Sequence, residues 1–436
     1  MRLRAAAGAT LAPARAMDNA GRAGLDRRMT ERRDAIIVGG GLIGPATALA
    51  LAEAGLRTTL IDALPVEVRG DADFDGRAYN VSLASRRFLE VVGVWPEVAG
   101  EAQPVARIRI EDARPGEREA PGLLHFDHAE LDEGPASQIL EDRFLRRALL
   151  TATLAHPRIE TRAPLEIVET RETPGGAEAT TADGETLRAA ALIACDGRES
   201  PIARRAGIRR LRWGYDQDGM VCAVEHARDH EGVARQRFLP GGPFAVLPLP
   251  GRRCSLVWTE RRAETERIAA LDDAAYLREV ERRMGGALGA LRLVGRRWRY
   301  PLGFSLAEEW VRPRLALVGD AAHSVHPIAG QGLNLGLRDA AALAEVLGEA
   351  RRRGEDVGAL DVLERYQRWR RFDATSLALG MDGLNRLMSN DVGPLRALRD
   401  AGMGLVERLP GAKRAFMRIA AGAEGDAPRM LRGERV

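Results

Sequence analysis

The sequence predicts an α/β fold: a strand-turn-helix-strand unit built to hold a dinucleotide, an inserted lobe rich in strands, and a helical C-terminal segment. Three observations carry this. The β-branched apolar run Asp34–Gly39 enters a glycine-rich turn and the helix-forming stretch Ala46–Ala54, and a second apolar run, Arg57–Asp62, follows. Strand-type runs bounded by Pro-Gly turns recur from Met220 to Glu260. Residues 360–420 carry helical patterns broken by Pro394 and Pro410.

The chain has 436 residues, about three times the ~150 of one domain. Hydrophobic residues at 45% and charged residues at 29% exclude wholesale disorder and a fibrous repeat. Cys195, Cys222 and Cys254 form no CxxC and no even framework, as expected of a reducing cytoplasm. Of the 65 basic and 62 acidic residues, eight and three fall within residues 1–33. The rest is near neutral, so no basic face for nucleic acid is expected. Residues 1–33 show no structural period and no apolar signal core, and are read as an extension outside the fold. A start at Met29 is the preferred explanation, with an Arg-rich organelle transit peptide as the alternative.

The elements follow in order. Ala35–Ala52 holds no charge over 18 positions, but three successive glycines and Pro45 interrupt it, so strand-turn-helix is preferred to a membrane span. Gly55 stops the helix. Arg107–Ile110 is a short strand, and Leu140, Phe144, Ala148 and Leu149 mark a helix. Residues 158–195 read as three strands with turns at 174–176 and 183–184. Met220–Val224, Phe244–Leu249 and Cys254–Trp258 are strands, and residues 271–284 a helix. Leu315–Gly319 is a buried strand. Leu333, Leu337, Ala340, Ala344 and Leu347 form one apolar helix face.

Three motifs carry chemistry. Gly39-Gly-Gly41-Leu42-Ile43-Gly44 is a GxGxxG between strand and helix, where glycines allow a tight turn and close approach of a pyrophosphate to backbone. Asp62 ends the next strand, 23 positions after Gly39, and can accept hydrogen bonds from an adenosine ribose. Ala194-Cys-Asp196-Gly197 ends a later strand. The third motif runs Gly319-Asp320-Ala-Ala-His323-Ser-Val-His326-Pro327-Ile-Ala-Gly330-Gln331-Gly332-Leu333-Asn334.

Together these motifs resemble the FAD-dependent aromatic hydroxylases with the p-hydroxybenzoate hydroxylase fold, and within them the ubiquinone-biosynthesis hydroxylases. The resemblance runs from about Asp34 to Gly422. Asp75-Gly-Arg77-Ala-Tyr-Asn-Val-Ser-Leu-Ala-Ser85, Arg237–Pro250 and Leu335-Gly-Leu-Arg-Asp339 share it. It implies a Rossmann-like FAD-binding domain (34–104, 136–210 and 300–350), a β-sheet substrate domain (105–135 and 211–299) and C-terminal helices (351–436). Gly39, Gly41, Leu42, Ile43 and Gly44 would hold the FAD pyrophosphate and Asp62 the adenosine ribose. Arg77 and Arg143 would lie by the flavin. Asp196 and Gly197 would serve flavin and the path of the pyridine nucleotide. Gly319 and Asp320 would bind the ribityl chain, and Pro327, Gly330, Gln331, Gly332, Leu333 and Asn334 would edge the isoalloxazine. One of these has an independent physical argument: Gly330-Gln-Gly332 opens a helix, whose free N–H groups and partial positive charge suit the anionic end of reduced flavin. Asn80, Cys195 and Arg204 depart from the pattern, the last by standing one position later than usual.

The implied activity is a monooxygenase using NAD(P)H and O2 through a flavin C4a-hydroperoxide, with no second Rossmann domain. The implied substrate is a lipid-like polyprenylated phenol of ubiquinone biosynthesis. A cytoplasmic location, peripheral contact with the inner face of the membrane and membership of a quinone-synthesis complex are further expectations. No side chain stands out as an essential acid or base. A prenyl-chain reductase and a non-catalytic FAD-binding subunit are the alternatives. A halogenase would use a core lysine, and the only lysine is Lys413. His323 with His326, and His226 with His230, are read as packed histidines rather than metal ligands. Asp132-Glu133 and Asp272-Asp273 are read as solvated acids. The Leu/Met/Phe and Arg alternation from Leu384 through Phe416 to Ile419 is read as a docking helix pair, or a membrane-surface face.

Overall fold

The computed structural model describes residues 33–71, 73–118, 124–127, 134–409, 411, 417–418, 421–422 and 425–436. The readings of the N-terminal extension, of Asp132-Glu133, Pro410, Lys413, Phe416 and Ile419 lie outside the described residues.

The first sheet has the parallel strands Leu315–Leu317, Thr186–Ala194, Arg33–Val38, Thr58–Ile61 and Ile159–Arg162, in that spatial order. Strands buried on both faces need no alternation, which is why they read as continuous apolar runs. Helix Ile43–Glu53 buries every position from Gly44 to Ala52. It is wedged against the sheet, helix Asp142–Ala155 and helix Gly332–Arg352. Full enclosure explains why its sequence lacks charge. Pro45 sits in its first turn, where a missing N–H costs nothing.

The second sheet has eight strands, in the order His323–Ser324, Leu291–Ala307, Arg210–His226, Arg253–Arg261, Gly242–Leu249, Val233–Leu239, Arg107–Asp112, Leu124–Asp127. Helices Arg262–Ala269 and Asp273–Met284 cover its outer face around Phe244, Leu256 and Trp258. Its inner face looks across to the first unit. A small sheet of Ala78–Ser82, Ser137–Glu141 and Gln103–Pro104 joins the two.

Three sequence readings are corrected. Residues 158–195 hold four strands, not three: Ile159–Arg162 joins the parallel sheet, and Ile167–Thr173, Gly176–Thr181 and Thr186–Ala194 form the antiparallel extension. Leu140 lies in strand Ser137–Glu141, not in the helix. Its spacing to Phe144 fits a helix, but pairing with Tyr79 decides, and the extended backbone of Glu141 ends the strand just before Asp142. The strands Arg210–His226 and Leu291–Ala307 each run 17 residues, well beyond Met220–Val224, and the second crosses position 299/300 without interruption. Among the described residues no helix is long and apolar enough to cross a membrane.

Candidate active site

The turn after Arg33–Val38 is shaped by its glycines. Gly39 has φ +114°, and a Cβ there would strike the Cys195 carbonyl; a Cβ on Gly44 would strike the Gly39 carbonyl. Around Gly41 nothing lies within 4 Å. The outer glycines therefore serve the fold, and Gly41 borders open space where a pyrophosphate can approach. Helix Ile43–Glu53 starts at Leu42 without a side-chain cap, leaving first-turn N–H groups free for phosphate. Asp62 accepts the Gly40 N–H, and the Leu64 N–H at 2.7 Å. Beside it stands a residue that the motif search missed. Arg69 is buried, donates to Gly40 O at 3.4 Å, and lies 3.8 Å from Asp62 Oδ1. Its Nε and Nη2 have no hydrogen-bond partner. A buried guanidinium with spare donors at a phosphate cradle fits the anionic half of FAD.

Asp196 follows the strand Thr186–Ala194. Its Oδ2 accepts the Ile202 N–H at 3.1 Å, while its buried Oδ1 has no hydrogen-bond partner. Burial pushes its carboxyl above the usual range, against the opposing hydrogen bond from Ser200. Gly197 takes φ +85°, so the chain turns sharply there.

The third motif forms a loop over the end of Leu315–Leu317. The Gly319 N–H is held by Asp339 Oδ2 at 3.2 Å, and Arg210 donates to the carbonyls of Ala321 and Asp320. Asp320 faces the cavity, whose walls push its carboxyl above the usual range against the attraction of His323, Arg198 and Arg210. Gly330 adopts φ +62° and leads into helix Gly332–Arg352, which has no side-chain cap. Its free N–H groups face the cavity beside Gly330, Gln331, Gly332 and Leu333. Asn334 does not line the cavity. Its side chain accepts from the Ser82 N–H at 3.1 Å and Ser85 Oγ at 2.7 Å, and donates to Asn80 O at 2.9 Å, so it pins strand Ala78–Ser82 to the loop. Neither is His323 free as a ligand, since its ring is bound to Asp339. Among the described residues no group of three or more metal-ligating side chains gathers.

These elements enclose a cavity of about 1150 Å3, above the ~300–1,000 Å3 of a common ligand site. One end is polar: Leu42, Ile43, Arg77, Tyr79, Asn80, Asp320, Pro327 and Gly330–Leu333 meet there. Asn80 Oδ1 is a buried acceptor with no hydrogen-bond partner. The remaining wall is the inner face of the second sheet, mainly apolar through Ile108, Phe126, Val221, Ala245, Leu247 and Val257, with Arg107, Arg235 and Gln236 set among them. Arg77 is brought to the cavity, anchored by Asp75 at 2.8 Å and Asp142 at 3.3 Å. Arg143 is not. Its Nε binds the buried Glu141 at 2.8 Å and its guanidinium lies over Phe74 and Phe144. Arg69, Arg198, Trp298 and Tyr300 had no motif to mark them; three line this cavity and Arg69 stands at the pyrophosphate turn.

The free helix N-termini, the open space at Gly41, the unpaired donors of Arg69 and the unpaired acceptors of Asn80 and Asp196 all fit FAD. When bound, FAD supplies electron transfer from NAD(P)H and activation of dioxygen.

Comparison with known proteins agrees with this geometry. The FAD binding domain family matches residues 32–378. Ubiquinone hydroxylase UbiL of Rhodospirillum rubrum is 44% identical over 403 residues, spanning 92% of this chain and 92% of that one. The 3-demethoxyubiquinol 3-hydroxylase of Escherichia coli is 36% identical over 388 residues, covering 88% and 97%. The p-nitrophenol 4-monooxygenase PnpA from Pseudomonas putida shares the fold at a TM-score of 0.74 and 21% identity, over 93% of this chain and 99% of that one. The chain belongs to the FAD-dependent aromatic monooxygenases of the p-hydroxybenzoate hydroxylase fold.

Proposed function

We propose that this chain hydroxylates the ring of a polyprenylated phenol in ubiquinone biosynthesis. NAD(P)H provides two electrons as hydride and solvent one proton; one atom of O2 becomes a hydroxyl on a ring carbon and the other leaves as water. The observation that carries this reading is the cavity, polar where the cofactor motifs approach one another and mainly apolar along the inner face of the second sheet. Two of the relatives named above are a ubiquinone hydroxylase and a 3-demethoxyubiquinol 3-hydroxylase, which supports the same substrate class.

The chain's residues would bind, orient and exclude water. Phe126, Leu247 and Val257 give the prenyl tail an apolar wall, at about 25 cal/mol per Å2 buried. Gln236 lines the cavity, and its buried Nε2 has no hydrogen-bond partner. That donor suits a ring oxygen and would fix which ring carbon faces the flavin. Among the site residues of the motif reading, Asp62, Asp196 and Asp320 hold FAD, and Arg77 stands at the polar end.

Exposed apolar residues at the far end of the cavity support peripheral membrane contact. Leu384 and Leu387 line the cavity and are 40% and 41% exposed, and Val392, Leu405 and Leu409 are exposed nearby in sequence. A tail entering there would pass from lipid to cavity without crossing water. Vesicle co-sedimentation should fall for Leu387→Glu; sedimentation equal to the unmodified chain sinks the membrane reading. The function itself is tested by lipid mass spectrometry of a strain lacking the chain. Prenylated phenols short of a hydroxyl should accumulate, and normal quinone without such intermediates contradicts the proposal.

A further inference from the structure

The two ends of the cavity differ in chemistry. Trp298 and Tyr300 stand on Leu291–Ala307, near one edge of the eight-stranded sheet, and Phe126 stands on the strand at the other edge. Six strand steps separate them, about 29 Å at ~4.8 Å per step. The far end is mainly apolar, with Ile110, Leu124, Phe126, Leu384 and Leu387. The near end carries Arg77, Arg198, Trp298 and Tyr300.

The near end is built, not incidental. Trp298 is 37% exposed, yet its Nε1–H donates to Asp75 O at 2.7 Å, which fixes the indole plane. The Arg77 guanidinium lies 5.5 Å from the indole centroid and is itself tied to Asp75 and Asp142. Arg198 directly follows Asp196-Gly197 and donates to Pro301 O at 3.2 Å. Among the described residues no carboxylate forms an ion pair with it. Along the same strand Arg296 is exposed and shares the face of Trp298, whereas Arg297 and Arg299 turn to the opposite face and pair there with Asp273, Asp218 and Glu266. A fixed flat ring flanked by arginines suits a ligand with flat bases and phosphate charge, and has nothing to offer a prenyl tail.

We propose that this rim docks the pyridine dinucleotide: Trp298 stacks on one of its bases, and Arg198 with Arg77 takes the pyrophosphate. The sequence has one GxGxxG unit, which would hold FAD, so the dinucleotide needs another surface. From this rim a nicotinamide ring reaches inward toward Asp320 and Gly330–Leu333, where the flavin motifs meet. The two ligands then enter by opposite ends, and neither blocks the other. This inference rests on the chain being an NAD(P)H-dependent flavoprotein and not on the identity of its phenol.

The test is calorimetric titration of FAD-loaded protein with NAD+ and with NADP+, read together with bound FAD per chain. Trp298→Ala and Arg198→Ala should each weaken binding of the preferred dinucleotide about tenfold, with FAD content unchanged. Trp298→Phe, which keeps a ring to stack, should stay within about threefold of the unmodified chain. Unchanged dinucleotide affinity in Arg198→Ala and Trp298→Ala overturns the proposal. So does loss of FAD from Arg198→Ala, which would give the rim to the flavin. Should Trp298→Ala fail to fold, Trp298→Leu removes the stacking face and retains apolar volume, and the same affinity criteria apply. No phenol is present, so failure of the ubiquinone reading leaves the outcome intact.

Discussion

His323 Nε2 lies 2.6 Å from Asp339 Oδ2, and the two side chains are 2% and 0% exposed. Asp339 uses the same oxygen to hold the Gly319 N–H at 3.2 Å, and its other oxygen accepts Arg370 Nε at 2.9 Å. One buried carboxylate thus links the loop that carries Asp320, helix Gly332–Arg352 and helix Leu360–Met388. Burial alone would push that carboxyl up; attraction to His323 and Arg370, with their hydrogen bonds, holds it below the usual range.

Asp339→Asn should therefore cost about 3 kcal/mol in urea melts, since the buried Arg370 is left with Asp373 as its remaining carboxylate partner and the His323 and Gly319 bonds to the anion are lost. The pH dependence follows from the depressed pKa. The native carboxyl ionises below its unfolded value, so its contribution is complete above about pH 4 and drains as pH falls through the native value. The variant should lose less stability than the unmodified chain between neutral and strongly acidic pH.

Gly41→Val and Gly39→Val should separate cofactor binding from folding. A side chain at Gly41 meets no protein atom within 4 Å, so the variant should melt within about 1 kcal/mol of the unmodified apoprotein. It should purify without the flavin absorbance. Gly39 is left-handed and pressed on the Cys195 carbonyl, so the same change there should abolish soluble folded protein, as circular dichroism would show.

Asp320→Ala removes a carboxylate that faces the cavity where the ribityl chain is expected. FAD affinity, measured by fluorescence on reconstitution, should fall at least ~10-fold, or about 1.4 kcal/mol. Retention of full flavin after dialysis would show that Asp320 does not hold the cofactor.

Gln236→Leu keeps the cavity volume and deletes the one donor proposed to orient the ring. KM for the phenol should rise ~5–10-fold, and more NAD(P)H should be oxidised without product, because a loosely oriented ring is missed by the activated oxygen. Equal coupling of NAD(P)H oxidation to product in both proteins would remove Gln236 from the site.

The core of the fold was legible because its strands are buried on both faces: Asp34–Gly39, Arg57–Asp62 and Leu315–Gly319 need no partner to be recognised. The long strands Arg210–His226 and Leu291–Ala307 were not. Half of each is exposed and carries Arg and Trp without alternation, and only their pairing with each other makes them strands. Leu140 fitted two periods at once, and contact with Tyr79 chose between them. The glycines and acids of the site could be read from spacing, since backbone approach to a phosphate restricts what may stand there. Arg69, Arg198 and Trp298 look like ordinary surface residues in sequence; what marks them is an unpaired donor or an exposed ring beside the cofactor turn or on the cavity wall, and that exists only in three dimensions. Arg143 fitted the motif, but Glu141 and Phe144 claim its side chain.

On the proposed function, a prenylated phenol receives an oxygen atom from dioxygen in this cavity. The most direct measurement supplies FAD-loaded protein with NAD(P)H, a polyprenylated phenol and isotopically labelled dioxygen, and weighs the product. One labelled oxygen in the ring is the predicted result. A reduced prenyl chain, or a hydroxyl whose oxygen comes from water, would contradict the account.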